Sequence, residues 1–245
     1  MVIDRLGYDS SDHPSGTFAT CFGSQADIAH QIVQQLRAGS YGIETGGAPS
    51  FSRVALAGHS AAGAIVEIEA YSFRDIDALI VMGWADVGAS PGAILALVDS
   101  ALVCLLGGEP AEPGANGSGY AFFGQRPEDF QALELFSADP PVFQAVGRLR
   151  NRDPCGDLNS SALALGSNLL HLALLNDIQV PTLLICGNQD EVFPPPACQL
   201  QQALLGGTDD LTGIFIEGMG HGLTIERRAP EFRQMLSDWL RARGF

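Results

Sequence analysis

The chain has 245 residues, enough for one sizeable domain. With 46% hydrophobic and 17% charged residues it can bury a real core, which excludes wholesale disorder. Its 28 acidic residues outnumber 13 basic ones, all arginine, and the net charge of −15 excludes the cationic face of a nucleic-acid binder.

Taken in order, short apolar β-branched runs alternate with longer helical patterns, which predicts an α/β fold with a mostly parallel sheet flanked by helices. Ser24-Gln25-Ala26-Asp27 reads as a capping box opening a helix to about Ala38, with Ile28, Ile32, Val33 and Leu36 on one face. Arg53 to Ala57 is a buried strand that runs into a helix from Ala61 to about Tyr71. Ala78 to Met82 is the next strand. The alternation then breaks: an apolar helix from Pro91 to Leu106 precedes a Gly/Pro-rich stretch, two Asp-Pro steps and a helical run near Leu158 to Leu175. Pro181 to Cys186 and Ile214 to Ile216 are two further strands, and Pro230 to Arg241 is a closing helix containing Trp239. Residues 87–177 therefore read as a helical cap, or lid, inserted into a core made of 1–86 and 178–245.

No run predicts a transmembrane helix, since the best candidate, Ala93 to Leu106, is short and contains Asp99 and Ser100. No signal peptide is visible at the first residues. Five cysteines (Cys21, Cys104, Cys155, Cys186 and Cys198) lack a CxxC pair or zinc spacing. They predict buried thiols in a reducing, cytoplasmic compartment, with one disulfide left open. The dispersed histidines form no HxxxH pair, so neither a metal nor a cofactor is expected.

Gly-x-Ser occurs twice, about what chance gives with 29 glycines, so context must separate the two. In Gly88-Ala89-Ser90-Pro91-Gly92 the residue after serine is proline, which has no N–H to stabilise an oxyanion. Its natural reading is a helix start, with Ser90 as N-cap and Pro91 at the first helical position. Gly58-His59-Ser60-Ala61-Ala62-Gly63 follows a strand and opens a helix, the setting of a nucleophile elbow. Small residues at Gly58 and Ala62 suit the close approach of strand and helix there, and Ala61 can donate its N–H. A serine hydroxyl needs a base held in one tautomer by an acid. Asp190 follows the strand ending at Cys186, and His221, between Gly220 and Gly222, follows the strand ending near Ile216. The order Ser, Asp, His is that of a hydrolase triad. Asp86 and Glu191 are the competing acids and rank below Asp190.

These motifs resemble those of the α/β-hydrolase superfamily, and the likeness extends over nearly the whole chain. It includes Gly187-x-x-Asp190, Gly220-His221 and the segment from Ile3 to Ser11, similar to the family's strand and D-x-x-G-x-G-x-S loop with Asp9 at the second glycine. The resemblance implies that Ser60 is the nucleophile, His221 the base and then the acid, Asp190 the orienting carboxylate and Ala61 N–H one half of the oxyanion hole. A serine at the elbow separates the chain from the epoxide-hydrolase and haloalkane-dehalogenase branches. The family pattern has three strands before Val2-Ile3, ending in a His-Gly loop that supplies the second oxyanion donor, whereas this sequence begins after that loop. The implied fold is thus N-terminally shortened. Losing one oxyanion donor costs about 10²–10³ in turnover, and a gap opens beside the strand 53–57. Either Val2-Ile3 slides into that gap or the chain is a shortened form of a longer protein, and the second is expected.

The expected function is a serine hydrolase cleaving an ester, thioester or lactone of a small apolar substrate through an acyl-enzyme on Ser60. The alternatives are a catalytically weak or truncated relative that binds a small ligand, and a triad-bearing lyase, perhydrolase or cofactor-independent oxygenase. The expected partner is the small substrate, without nucleic acid or stable membrane insertion. His59 reads as a pocket-wall residue, His171 as a core or lid residue, His13 and His30 as surface or loop residues, and Ser11 as a hydrogen-bonding loop residue. Ile94, Leu95, Leu97, Val98 and Leu102 either line an acyl pocket or pack the cap onto the core.

Overall fold

Strands this short and this apolar on both faces are stable only when covered on both sides, which is the setting of a parallel sheet between helices. The computed structural model, which describes residues 1–166 and 169–245, has that arrangement. In chain order the elements begin α1 (Phe22–Ala38), β1 (Ala55–His59), α2 (Ala61–Phe73) and β2 (Ala78–Met82). The intervening helical stretch holds α3 (Pro91–Leu105), β3 (Tyr120–Ala121), α4 (Pro127–Glu134), α5 (Pro140–Leu149), β4 (Asp153–Pro154), α6 (Cys155–Leu165) and α7 (Leu169–Leu174). The chain then returns through β5 (Thr182–Gly187), α8 (Ala197–Leu204), β6 (Leu211–Ile216) and α9 (Ala229–Ala242).

The main sheet is parallel in the order β1-β2-β5-β6, and β3 and β4 form a separate antiparallel pair. Side chains alternate across the main sheet. Leu79, Val81, Leu184 and Cys186 pack with Phe22, Ala26 and Val33 of α1 and Ala64, Ile65 and Val66 of α2. Ala78, Ile80, Leu183 and Ile185 face the other way, against Phe232 and Trp239 of α9.

Several boundaries move. α1 starts at Phe22 because Cys21 is the N-cap and Ser24 the third helical residue of the box, and Gly39 ends it in the left-handed conformation. Its buried face is Phe22, Gln25, Ala26, Ala29 and Val33, with Ile28 and Ile32 only half buried. β1 begins two residues later than expected, at Ala55, while β6 begins earlier, at Leu211. The helical run expected over 158–175 is divided between α6 and α7, and its Ser167 and Asn168 lie outside the described residues. Ser90 caps α3, accepting a hydrogen bond from Ala93 N–H, with Pro91 following as the composition of that motif required.

Three expectations are corrected. Val2 and Ile3 form no strand; Val2 is 96% exposed, and β1 pairs with β2 alone among the described residues, so nothing there fills the place beside it. Of the five apolar side chains singled out on α3, only Leu97 is buried; Ile94, Leu95, Val98 and Leu102 form an exposed stripe. The cysteines are not free thiols: Cys104–Cys155 joins α3 to α6 and Cys186–Cys198 joins β5 to α8, leaving Cys21 unpaired. No single helix among the described residues is long and apolar enough to cross a membrane.

Candidate active site

Ser60 stands between β1 and α2 with φ 54° and ψ −133°, a conformation that costs a non-glycine residue on the order of 1–3 kcal/mol. The turn is held by Ser60 N–H donating to Met82 O (2.9 Å) and by Gly63 N–H donating to Ser60 O (2.6 Å). It can be this tight only because two glycines lack a side chain. A Cβ on Gly58 would lie 2.0 Å from Ala62 O, and one on Gly63 would lie 2.5 Å from Trp84 Cβ. Ala61 opens α2, so its N–H has no acceptor within the helix.

The other two residues meet. Asp190 Oδ1 accepts from Val192 N–H (2.8 Å) and Phe193 N–H (2.9 Å), which leaves Oδ2 to accept from His221 Nδ1–H at 2.8 Å. Both side chains are buried. Gly187 allows this approach, because a Cβ there would stand 2.1 Å from Met219 O in the histidine loop. Burial works against a charged Asp190, but the imidazole's charge and hydrogen bond outweigh it and hold the carboxyl below its ordinary value. Burial likewise works against a charged His221, yet the carboxylates of Asp190 and then Glu134 lift it to about 9. His221 Nε2 is buried with no hydrogen-bond partner. The Asp190–His221 link is therefore formed and the imidazole's second nitrogen is free.

His59 is more than wall material. Its Nε2–H donates to His221 O at 2.8 Å and its ring centroid lies 4.8 Å from that of His221. Burial, reinforced by the charge of His221, lowers it to about 4, so it acts as a neutral donor. Gly83 fits between the two rings: a Cβ there would be 3.2 Å from His59 Nε2 and 3.5 Å from His221 Cε1. The loop itself is held by Glu226, whose carboxylate accepts from Gly220 N–H (3.0 Å), Phe136 N–H (2.7 Å) and Ser137 Oγ–H (2.8 Å). Neither role shows in the sequence, where His59 is one more elbow residue and Glu226 one more surface-type acid.

Ser60, His59 and Ala61 open onto a cavity of about 210 Å³. Trp84, Leu97, Phe123, Phe130 and Phe193 supply much of its apolar wall, and Arg5, Glu134, Asp153 and Asp157 bring charge to it. The residues between β2 and β5 thus provide a large share of the lining, as an insertion over a strand edge can.

Of the rival acids, Glu191 is exposed and Asp86 is committed elsewhere. Asp86 Oδ1 accepts from Trp84 Nε1–H and His171 Nε2–H, both at 3.0 Å, and Oδ2 accepts from Gln201 Nε2–H at 2.8 Å. Tyr71 O–H donates to the other nitrogen of His171, so that histidine is a bonded core residue. Three histidines that look dispersed in the sequence, His30, His171 and His221, meet acids in space. Glu67, Asp86 and His171 bring potential ligand atoms within 4.8 Å of one another, as do His30, Glu69 and Asp75. His30 is half-buried, donates to Asp75 at 2.9 Å and stacks on Phe73, which replaces its surface-loop reading. Ser11 Oγ–H donates to Asp4 O, and Asp9, standing where the family has glycine, adopts φ 45°.

A parallel sheet flanked by helices, a strained serine at a strand-to-helix elbow and a buried Asp–His pair at two later strand ends define a class. The chain belongs to the alpha/beta hydrolase family, which it matches over residues 1–234. A thermophilic esterase from Thermogutta terrifontis is similar in structure, with TM-score 0.68 and 20% identity over 98% of this chain and 78% of that one. An esterase from Exiguobacterium antarcticum gives 0.64 and 19%, covering 96% and 79%. A monoacylglycerol lipase from Paleococcus ferrophilus gives 0.61 and 19%, covering 91% and 76%. At such identities the likeness is one of fold. Comparison with curated proteins gives no match.

Proposed function

We propose that the chain is a serine hydrolase acting on an ester-type bond of a small, largely apolar substrate, with Ser60, His221 and Asp190 as its triad. The observation that carries this reading is the Asp190-bound His221 with an unpartnered Nε2, set in a fold that puts Ser60 on the wall of a cavity lined largely by apolar side chains. In the proposed reaction Ser60 Oγ forms a bond to the substrate carbonyl carbon while its proton passes to His221 Nε2. Asp190 holds the tautomer and stabilises the imidazolium. The tetrahedral oxyanion is met by Ala61 N–H at the start of α2. Collapse breaks the bond to the leaving group, which takes the proton from His221, and leaves an acyl group on Ser60. Water, deprotonated by His221, then releases the acid and restores the serine.

Esterases and a lipase among the structural neighbours support an ester bond. Residues 87–177 are proposed to act as the cap that shapes the acyl side. A fluorophosphonate probe is expected to label the wild-type chain at Ser60 and to leave Ser60→Ala unlabelled. Equal labelling of the two would overturn the proposal.

A further inference from the structure

We propose that the cavity beside Ser60 is cation-selective, taking a substrate whose acyl or alcohol part carries a quaternary ammonium or amine group held between Asp153, Glu134 and the aromatic wall. The inference deepens the hydrolase reading, because it concerns the same cavity, but it can be tested without turnover.

The argument is a charge balance around an apolar space. Among the described residues, Arg5 is the one cationic side chain on the cavity wall, and three carboxyls share that wall with it. Arg5 is already engaged: its Nη1–H donates to Asp157 Oδ2 at 2.9 Å and its guanidinium lies 4.2 Å over the Tyr8 ring. Asp157 is satisfied as well, accepting from Thr20 O–H at 2.8 Å and from Tyr8 O–H and Gln25 N–H at 3.1 Å each. That pair is neutral, and both oxygens of its carboxylate are hydrogen-bonded. Behind the wall, His221 is matched by Asp190. Asp153 and Glu134 are in excess: Asp153 shares Arg5 with Asp157, and Glu134 shares His221 with Asp190, so each cation faces two carboxyls. Arg150 and Arg152 lie off the lining and are tied to the carbonyls of Gly124 and Gln125 and to Glu109 respectively, so Arg150 reaches Asp153 only as a more distant charge.

Burial raises both carboxyls, Asp153 to about 6, yet Asp153 is ionised at neutral and alkaline pH. A negative charge inside a low-dielectric cavity acts strongly on a ligand's charge, attracting an ammonium and repelling a carboxylate. The remaining wall suits the same ligand. Trp84, Phe123, Phe130 and Phe193 line it, and alkylammonium groups are held where aromatic rings surround a desolvated cation. A neutral ester would use only the rings, and an anionic one would oppose the carboxylates.

The test uses three ligands of matched shape: choline, its uncharged isostere 3,3-dimethylbutan-1-ol, and 3,3-dimethylbutanoate. Binding to the full chain is followed by calorimetry and by tryptophan fluorescence, one of the two tryptophans being Trp84 in the cavity wall. At about pH 8 and low salt, choline is expected to bind about tenfold more tightly than the alcohol, with the carboxylate weakest. Asp153→Asn and Glu134→Gln should each shrink the advantage of choline, and the double variant should abolish it. In the wild-type chain the advantage should also shrink between about 10 mM and about 500 mM salt, a readout that survives if a variant fails to fold. Equal binding of the three, binding of none, or a choline advantage indifferent to both carboxylates and to salt would overturn the proposal. A chain that prefers choline but resists the fluorophosphonate probe would instead overturn the catalytic reading and keep this one.

Discussion

His221 carries two opposing demands. To act as a base it must be neutral, yet Asp190 at 2.8 Å and the nearby Glu134 favour its charged form and place it at about 9. The acidic limb of kcat/KM is therefore expected to fall near pH 9, with activity still rising through pH 8, because protonated imidazole cannot take the Ser60 proton. Replacing Glu134 with glutamine removes one raising charge and should move that limb to lower pH. A limb near the ordinary histidine value of about 6.5 in the wild type would contradict this account. The same shift bears on stability. A histidine raised in the folded state contributes stability in full below its unfolded value, and that contribution is lost as pH climbs through about 9. Individual residues also show where the sequence could be read. Ser60 and Ala61 stand out because an apolar strand runs straight into a helix, and Gly58 because only a missing side chain permits the turn. Glu134 and Glu226 do not stand out: Glu134 is far from His221 in the chain, and Glu226, five positions on, carries no sign that its carboxylate turns back onto Gly220.

Elements were largely legible as periodic runs, and least so where tertiary contacts set their limits. β2 was readable to the residue because Ala78 to Met82 is buried on both faces. β6 extends back past Ile214 to Leu211 because Gly213, a poor strand former, is held by pairing with β5 alongside. The disulfides lay beyond reach, because cysteine spacing carries no record of which helices cross. Cys186–Cys198 closes a loop that contains Asp190, Val192 and Phe193, the residues that aim the carboxylate at His221. A loop of that size contributes about 3 kcal/mol by restricting the unfolded chain. Reduction with dithiothreitol is expected to lower the melting temperature, and Cys198→Ala should lower it in the absence of reductant. A thiol titration that finds five free cysteines in the folded oxidised chain would remove the basis for this prediction.

Over the whole molecule, the net charge of −15 leaves more carboxylates than the arginines can pair, and pairs such as Arg74–Asp177, Arg126–Asp129 and Arg227–Asp139 lie at the surface. Like charges repel more strongly in the compact state than in the extended one, so screening should favour folding. Raising salt from about 10 mM to about 150 mM is expected to raise the melting temperature by a few degrees. A fall would mean that surface pairs outweigh the general repulsion. The class of fold, the succession of strands and helices, the sign of the molecular charge and the three positions at strand ends could all be read from letters alone. Each depends on composition or on a window of a few residues, where backbone preference and apolar period act locally. Which acid meets the imidazole, which cysteines join, how Arg5 is neutralised and why Leu97 is buried while Leu102 is exposed depended on packing. Those outcomes join residues from about a dozen to more than a hundred positions apart, and only the folded chain brings their side chains within hydrogen-bonding or van der Waals distance.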